Sequence, residues 1–272
     1  MRPIRLGAVE YLNARPLVRG LDRQPDRFDL RFDLPARCAA LLHEGRIDVG
    51  LIPTIELLGR DYRLVPGVGV VSRGQVASVA LFSTKPVGAI RSIAIDRSSR
   101  TSVALLKILC VQRFGIDPAV VPLPPDLPAM IGRCDAALII GDVALFADHE
   151  AAGARKIDLG EEWTEMTGLP FVYACWAGRP SALQESDVAA LQAARDRGVR
   201  ELDAVAREHS GDDEARIAAA SQYLRANVQY DVGAAELAGL RRFLETASEL
   251  GIAPGPATVD FYQQPGPRGA GL

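Results

Sequence analysis

The stretch Ser92 to Gly115, SIAIDRSSRTSVALLKILCVQRFG, constrains the fold more than any other part of the chain. An apolar strand (Ile93, Ala94, Ile95) meets a polar turn (Asp96 to Arg100), and a long apolar helix starts at Thr101 or Ser102 and stops at Gly115. A helix start leaves about four backbone N–H groups without intrahelical partners and carries roughly half a positive charge, so it can receive a carboxylate or phosphate. Hydroxyls of Ser98, Ser99, Thr101 and Ser102 and the guanidinium of Arg100 gather at that end. A single N-cap would account for one hydroxyl. Ser99, Arg100, Thr101 and Ser102 are therefore candidates for binding an anionic ligand, with simple capping as the alternative.

The remaining strands and helices fall into two similar series. Ile4 to Val9 reads as a strand that ends in Glu10-Tyr11-Leu12-Asn13, and a helix with Pro16 near its first turn follows. Phe28 to Leu34 alternates as a half-buried strand does, the helix ARCAALLHEGR follows, and Val49 to Ile52 is a short buried strand. Strands separated by helices imply parallel pairing with right-handed crossovers. Ala77 to Ser83 is a further strand, after which the second series opens at Ser92, continues through Val120 to Leu123, and ends in DAALIIGD. Phe171 to Trp176 is another apolar strand. Helices over Asp187 to His209, Glu214 to Asn227 and Ala234 to Gly251 close the chain, and the final QQPGPRGAGL lacks the apolar content to pack. The pattern predicts an α/β protein of two lobes, residues 1–83 with 177–272 as lobe one and 84–176 as lobe two, with the ligand in the cleft at the strand ends. A single doubly wound sheet is the alternative.

Composition narrows the partners. With 48% hydrophobic residues, 24% charged residues and a net charge of -3, the chain has an ordinary globular core and lacks the basic surface that nucleic-acid binding needs. No apolar run approaches the roughly 18 to 20 residues that span a bilayer, and the N-terminus enters strand-like sequence without a signal peptide's apolar region, so a cytoplasmic location is expected. Cys38, Cys110, Cys134 and Cys175 are scattered without a CxxC pair, and His43, His149 and His209 lie in helix-like polar sequence. Reduced thiols and no bound metal or cofactor are expected.

Within the two-lobed arrangement, Tyr11-Leu12-Asn13 faces the Ser98 to Ser102 turn across the cleft. Asn13 can donate and accept hydrogen bonds or cap the next helix, but a neutral amide is no proton-abstracting base. Arg15 can hold a carboxylate or lie along a helix surface. Ser83 and Asp142 stand at strand ends where ligands are often met, and turn chemistry is the alternative for both. Glu56, after VGLIPT, is either a first-turn carboxylate or a site residue, and His149 in DHE reads as solvated. No Ser-His-Asp or Cys-His set occupies strand ends, and no phosphate-loop or GxGxxG turn is present.

Six stretches carry a resemblance: YLNARPL (Tyr11 to Leu17), GRIDVGLIPTIE (Gly45 to Glu56), VVSRGQVASVALFS (Val70 to Ser83), SIAIDRSSRTSVALLKIL (Ser92 to Leu109), DAALIIGDVAL (Asp135 to Leu145) and DLGEEWTEMTGLPFVYACWAGR (Asp158 to Arg179). Over most of residues 1–180 the chain resembles the chorismate dehydratase family of the futalosine route to menaquinone. The resemblance implies a two-lobed periplasmic-binding-protein type II fold and a small-molecule substrate, chorismate, which loses water to give 3-[(1-carboxyvinyl)oxy]benzoate. A sister family with the same fold forms 1,4-dihydroxy-6-naphthoate and carries a histidine where this chain has Gly141-Asp142. A non-catalytic binding protein for an anionic metabolite is a third possibility on the same fold. Asn13 is the expected catalytic residue, orienting the substrate's own enolpyruvyl carboxylate as base, with Glu56 or Asp142 as the alternative enzymic base.

Overall fold

Apolar strands alternating with helices pair in parallel, and here they do so twice. In the computed structural model, which describes residues 2–96, 98–256 and 258–263, the first series is β1 (Ile4–Val9), β2 (Phe28–Asp33), α1 (Pro35–His43), β3 (Val49–Pro53) and the long β4 (Arg63–Ser72). The second is β5 (Val79–Ser83), β6 (Ser92–Ile95), α2 (Arg100–Leu109), β7 (Ala119–Pro122), α3 (Leu127–Ile131), β8 (Ala136–Ile140), α4 (Gly141–Leu145) and β9 (Arg155–Asp158). After these come α5 (Leu159–Thr167), β10 (Phe171–Gly178), α6 (Glu185–Arg200), α7 (Leu202–Ser210), α8 (Glu214–Ala226), α9 (Ala234–Glu249) and β11 (Asp260–Phe261). The end of QQPGPRGAGL, from residue 264, lies outside the described residues.

One sheet has the order β11-β4-β10-β3-β1-β2 and the other β7-β6-β8-β5-β9. In each sheet one strand is central to a parallel trio: β1 pairs with β2 and β3, and β6 with β7 and β8. Each trio is flanked by an antiparallel strand, β10 beside β3 and β5 beside β8. Thus β5 joins the second sheet although it precedes Ser92, and β10 returns to the first. On sheet membership we propose that the lobes divide between β4 and β5 and between β9 and β10. That moves both crossings toward the N-terminus from the expected 83/84 and 176/177.

Strand polarity decides which residues reach the cleft. The C-terminal ends of β1, β3, β6 and β8 open on it, as parallel sheets require. Because β5 runs antiparallel to β8, with Val79 opposite Ile140 and Ser83 opposite Ala136, its first residue faces the cleft and its last is at the far edge. Ser83 is therefore not a cleft residue. Its buried hydroxyl donates to the Lys85 carbonyl at 2.8 Å.

The organising stretch forms as expected, with the helix starting at Arg100, widening over Cys110–Phe114 and stopping at Gly115 in the left-handed conformation, φ 63°. Two elements depart from expectation. The segment after β1 is a 3₁₀ helix over Leu12–Val18 that contains Pro16, and the helix expected over Asp187 to His209 breaks at Glu201 into α6 and α7. The reasons are linked. The Glu201 carboxylate accepts from Arg19 Nε at 2.6 Å, and both α6 and α7 pack on the 12–18 segment. Gly198 of α6 lies so close that a Cβ there would be 2.0 Å from the Pro16 carbonyl oxygen. No helix among the described residues is long and apolar enough to cross a membrane.

Gly198→Ala must push backbone from backbone, an overpacking cost of about 1–3 kcal/mol. The expected result is a thermal midpoint lowered by several degrees, measured by calorimetry, and an unchanged midpoint would contradict this packing.

Candidate active site

The turn between β6 and α2 is shaped by Asp96. Its carboxylate accepts from the Ser98 backbone N–H at 3.0 Å and from the Ser98 hydroxyl, and the Asp96 carbonyl accepts from the Ser99 N–H at 3.3 Å. This places Ser99 at the N-cap of α2, yet its side chain makes no capping bond. The hydroxyl is buried, 3% of the residue being exposed, and has no partner among the described residues. It lines the interlobe cleft, with Thr101 and Ser102, also buried, beside it. The N–H groups of Arg100, Thr101 and Ser102 belong to the first helical turn and have no intrahelical acceptor. Thr101 Oγ1 accepts from the Ile55 N–H of the other lobe at 3.2 Å, which leaves its own proton to donate. Hydroxyls, N–H groups and the helix dipole thus converge where an anion fits.

Across the cleft stand Tyr11 and Asn13, and the floor is apolar, formed by residues such as Val9, Leu51, Val70, Val79 and Ile140. The space between these walls, counted with the solvent at its open mouth, is about 520 Å³. The Asn13 side chain lies beside the phenol of Tyr223, whose oxygen is 2.7 Å from Ser78 Oγ. The Tyr11 phenol lies near the Ser98 side chain. Burial holds the phenols of Tyr11, Tyr173 and Tyr223 above their usual range, so all three stay protonated at neutral pH.

The two acidic candidates sit beside the cleft and are not part of its lining. Glu56 takes His43 Nε2 at 2.7 Å on one oxygen and Arg100 Nη1 at 2.7 Å on the other, while His43 Nδ1 meets the Tyr62 hydroxyl at 2.8 Å. Arg100 does line the cleft, tied by this ion pair to lobe one. Asp142 takes the Leu12 N–H at 3.0 Å and His209 Nε2 at 2.7 Å. Arg15 lies over the Phe32 ring, 4.3 Å from its centroid, with Nε on the Glu10 carbonyl, which is the surface role. His149 is bonded through Nδ1 to the Ala154 carbonyl and packs near Phe82.

The structure thus gathers Asn13, Ser99, Arg100, Thr101 and Ser102 around one cleft, keeps Glu56 and Asp142 just outside it, and removes Ser83. Sequence reasoning missed Tyr223, Ser78 and His209. Tyr223 and His209 lie in helices whose polar pattern carries no mark of a site. Among the described residues no group of three His, Cys, Asp or Glu side chains could hold a metal ion.

A family model described as menaquinone biosynthesis matches residues 4–249. A chorismate dehydratase of Thermus thermophilus is 30% identical, the match covering 93% of this chain and 98% of that one. Among solved structures, the periplasmic aliphatic sulphonate binding protein of Escherichia coli superimposes with a TM-score of 0.68 at 18% identity, covering 100% of this chain and 96% of that one. A conserved Candida albicans protein with the generic periplasmic binding protein fold gives a TM-score of 0.64 at 13% identity, covering 98% and 99%. The two-lobed fold expected from the sequence is the fold of these neighbours.

Gly141, at φ 64°, has the Tyr11 ring against it: a Cβ there would lie 2.9 Å from three ring atoms. Gly141→Ala adds left-handed strain of about 1–2 kcal/mol to that contact and pushes the lobes apart. Amide exchange across Leu12–Val18 is expected to speed up roughly ten-fold. Unchanged protection would contradict the contact.

Proposed function

The chain belongs to the menaquinone-biosynthesis family, and on that premise we propose that it is a chorismate dehydratase, a hydro-lyase that converts chorismate to 3-[(1-carboxyvinyl)oxy]benzoate and water. The observation that carries this reading is the buried Ser99 hydroxyl, without a partner among the described residues, at an open helix start facing Asn13 across an apolar floor. Such a site suits a small ring with a carboxylate at each end.

Chorismate loses its C3 proton and its C4 hydroxyl, and the ring becomes aromatic. The C3 proton is acidified through conjugation with the ring carboxylate, so negative charge develops there as the proton leaves. Donors already aimed at that carboxylate lower the barrier without reorganising. Ser99, Thr101, Ser102 and the first N–H groups of α2 fill this role, and Arg100 adds positive charge at the rim. The abstracted proton and the departing hydroxide leave as water.

The base is the substrate's own enolpyruvyl carboxylate, held near C3 by Asn13. Tyr223, whose phenol lies beside the Asn13 side chain, would limit the orientations that amide can take. Support comes from the neighbours: the tyrosines stay protonated, and Glu56 and Asp142 already have partners on both oxygens, outside the cleft lining. Gly141-Asp142 also stands where the naphthoate-forming sister family resembled in sequence has a histidine, which favours dehydration. A biosynthetic enzyme of this kind acts in the cytoplasm.

Purified protein incubated with chorismate is expected to release 3-[(1-carboxyvinyl)oxy]benzoate, identified by mass and by the aromatic absorbance that appears. Asn13→Ala should lower turnover more than Glu56→Gln does. No aromatic product from the wild-type protein would reject the reaction, and an inactive Glu56→Gln beside a nearly normal Asn13→Ala would reject the choice of base.

A further inference from the structure

The 3₁₀ segment Leu12–Val18 has no cap of its own. Tyr11 at its N-cap makes no side-chain capping bond, so the first N–H, that of Leu12, must find an acceptor elsewhere. The acceptor comes from the opposite lobe: Asp142 Oδ1, in the first turn of α4, lies 3.0 Å away. The other oxygen, Oδ2, is held at 2.7 Å by Nε2 of His209, near the end of α7. Three elements therefore meet at one carboxylate, whose side chain is 22% exposed and does not line the cleft. Leu12 is flanked by Tyr11 and Asn13, the two residues that face the α2 start.

We propose that Asp142, aimed by His209, is a positioning residue that caps the 12–18 segment across the lobe boundary, so that Asn13 is set for chemistry only while the lobes are closed. Opening the cleft separates Leu12 from Asp142, strips the segment of its cap and frees the Asn13 backbone. Closure and the placement of Asn13 thereby become one event. The role differs from that of a base, because what it requires of residue 142 is an acceptor for an N–H group. The inference rests on the dehydratase reading above for the role of Asn13, and on geometry alone for the cap.

Two measurements on the full chain test it: steady-state kinetics with chorismate, and the radius of gyration of the ligand-free protein by small-angle scattering. Asp142→Ala is expected to lower kcat about ten-fold or more while KM changes less than about three-fold, and to enlarge the radius. Asp142→Asn keeps an acceptor for the Leu12 N–H, and is expected to restore kcat to within about three-fold and the wild-type radius. Wild-type turnover in Asp142→Ala, or an Asn variant as inactive as the Ala variant, would overturn the proposal. If Asp142→Ala fails to fold, the same split is read at His209, where Gln still donates to Oδ2 and retains turnover while Ala loses it; equal kcat in the two would overturn it. A wild-type protein that forms no dehydration product rejects the dehydratase reading, and scattering then decides the cap: equal radii for wild type and Asp142→Ala overturn it.

Discussion

A hydroxyl buried without a partner costs about 1–3 kcal/mol, and among the described residues that of Ser99 stands without one at the mouth of an open helix start between the lobes. Thr101, Ser102 and the first N–H groups of α2 crowd the same place, while the opposite floor is apolar. A ligand that brings an acceptor removes this penalty, so the free protein is poised for an anion. The surrounding architecture serves to keep that helix start between two sheets. The β6–α2 unit supplies it, Thr101 and Arg100 tie it to lobe one, and Asp96 shapes the turn that leads into it.

The crossing between the lobes is braced as firmly as the site. Ala77 adopts a left-handed φ of 62°, uncommon outside glycine, in the segment between β4 and β5. Asp158 accepts from the Val76 and Ala77 N–H groups at 3.0 and 2.6 Å, and Lys156 Nζ donates to the Ala77 carbonyl at 2.6 Å. The same Asp158 carboxylate caps α5 through the Gly160 and Glu161 N–H groups. Burial pushes the Asp158 carboxyl up and the Lys156 ammonium down, which is the cost of bracing a strained crossing with polar groups in the interior. The lobes thus meet around a defined corner, which sets α2 opposite Tyr11 and Asn13.

The strand, turn and helix at Ser92–Gly115 were legible because each is set by local pattern: an apolar run, a polar turn and a glycine stop. The doubled series was legible for the same reason, and with it the two lobes. What local pattern does not carry is strand polarity across a sheet. ASVALFS reads the same whether it runs with or against DAALIIGD, so Ser83 looked like a cleft residue until pairing put Val79 at that edge. Asn13 and the Ser99–Ser102 cluster were found because they follow the ends of parallel strands. His209 and Tyr223 were not, because they reach Asp142 and Asn13 from helices distant in sequence, and a helical pattern reports which face is apolar, not which lobe it touches.

In the proposed reaction the protein supplies donors and orientation while the substrate supplies the base. Catalysis by a positioned base is typically worth 10²–10⁴ in rate. The most direct measurement uses a chorismate analogue whose enolpyruvyl carboxylate is replaced by its primary amide, leaving the ring carboxylate intact. This analogue is expected still to compete with chorismate for the cleft but to be dehydrated at least about a hundred-fold more slowly. Dehydration of the amide at a rate within a few-fold of chorismate would contradict it and return the base to the protein.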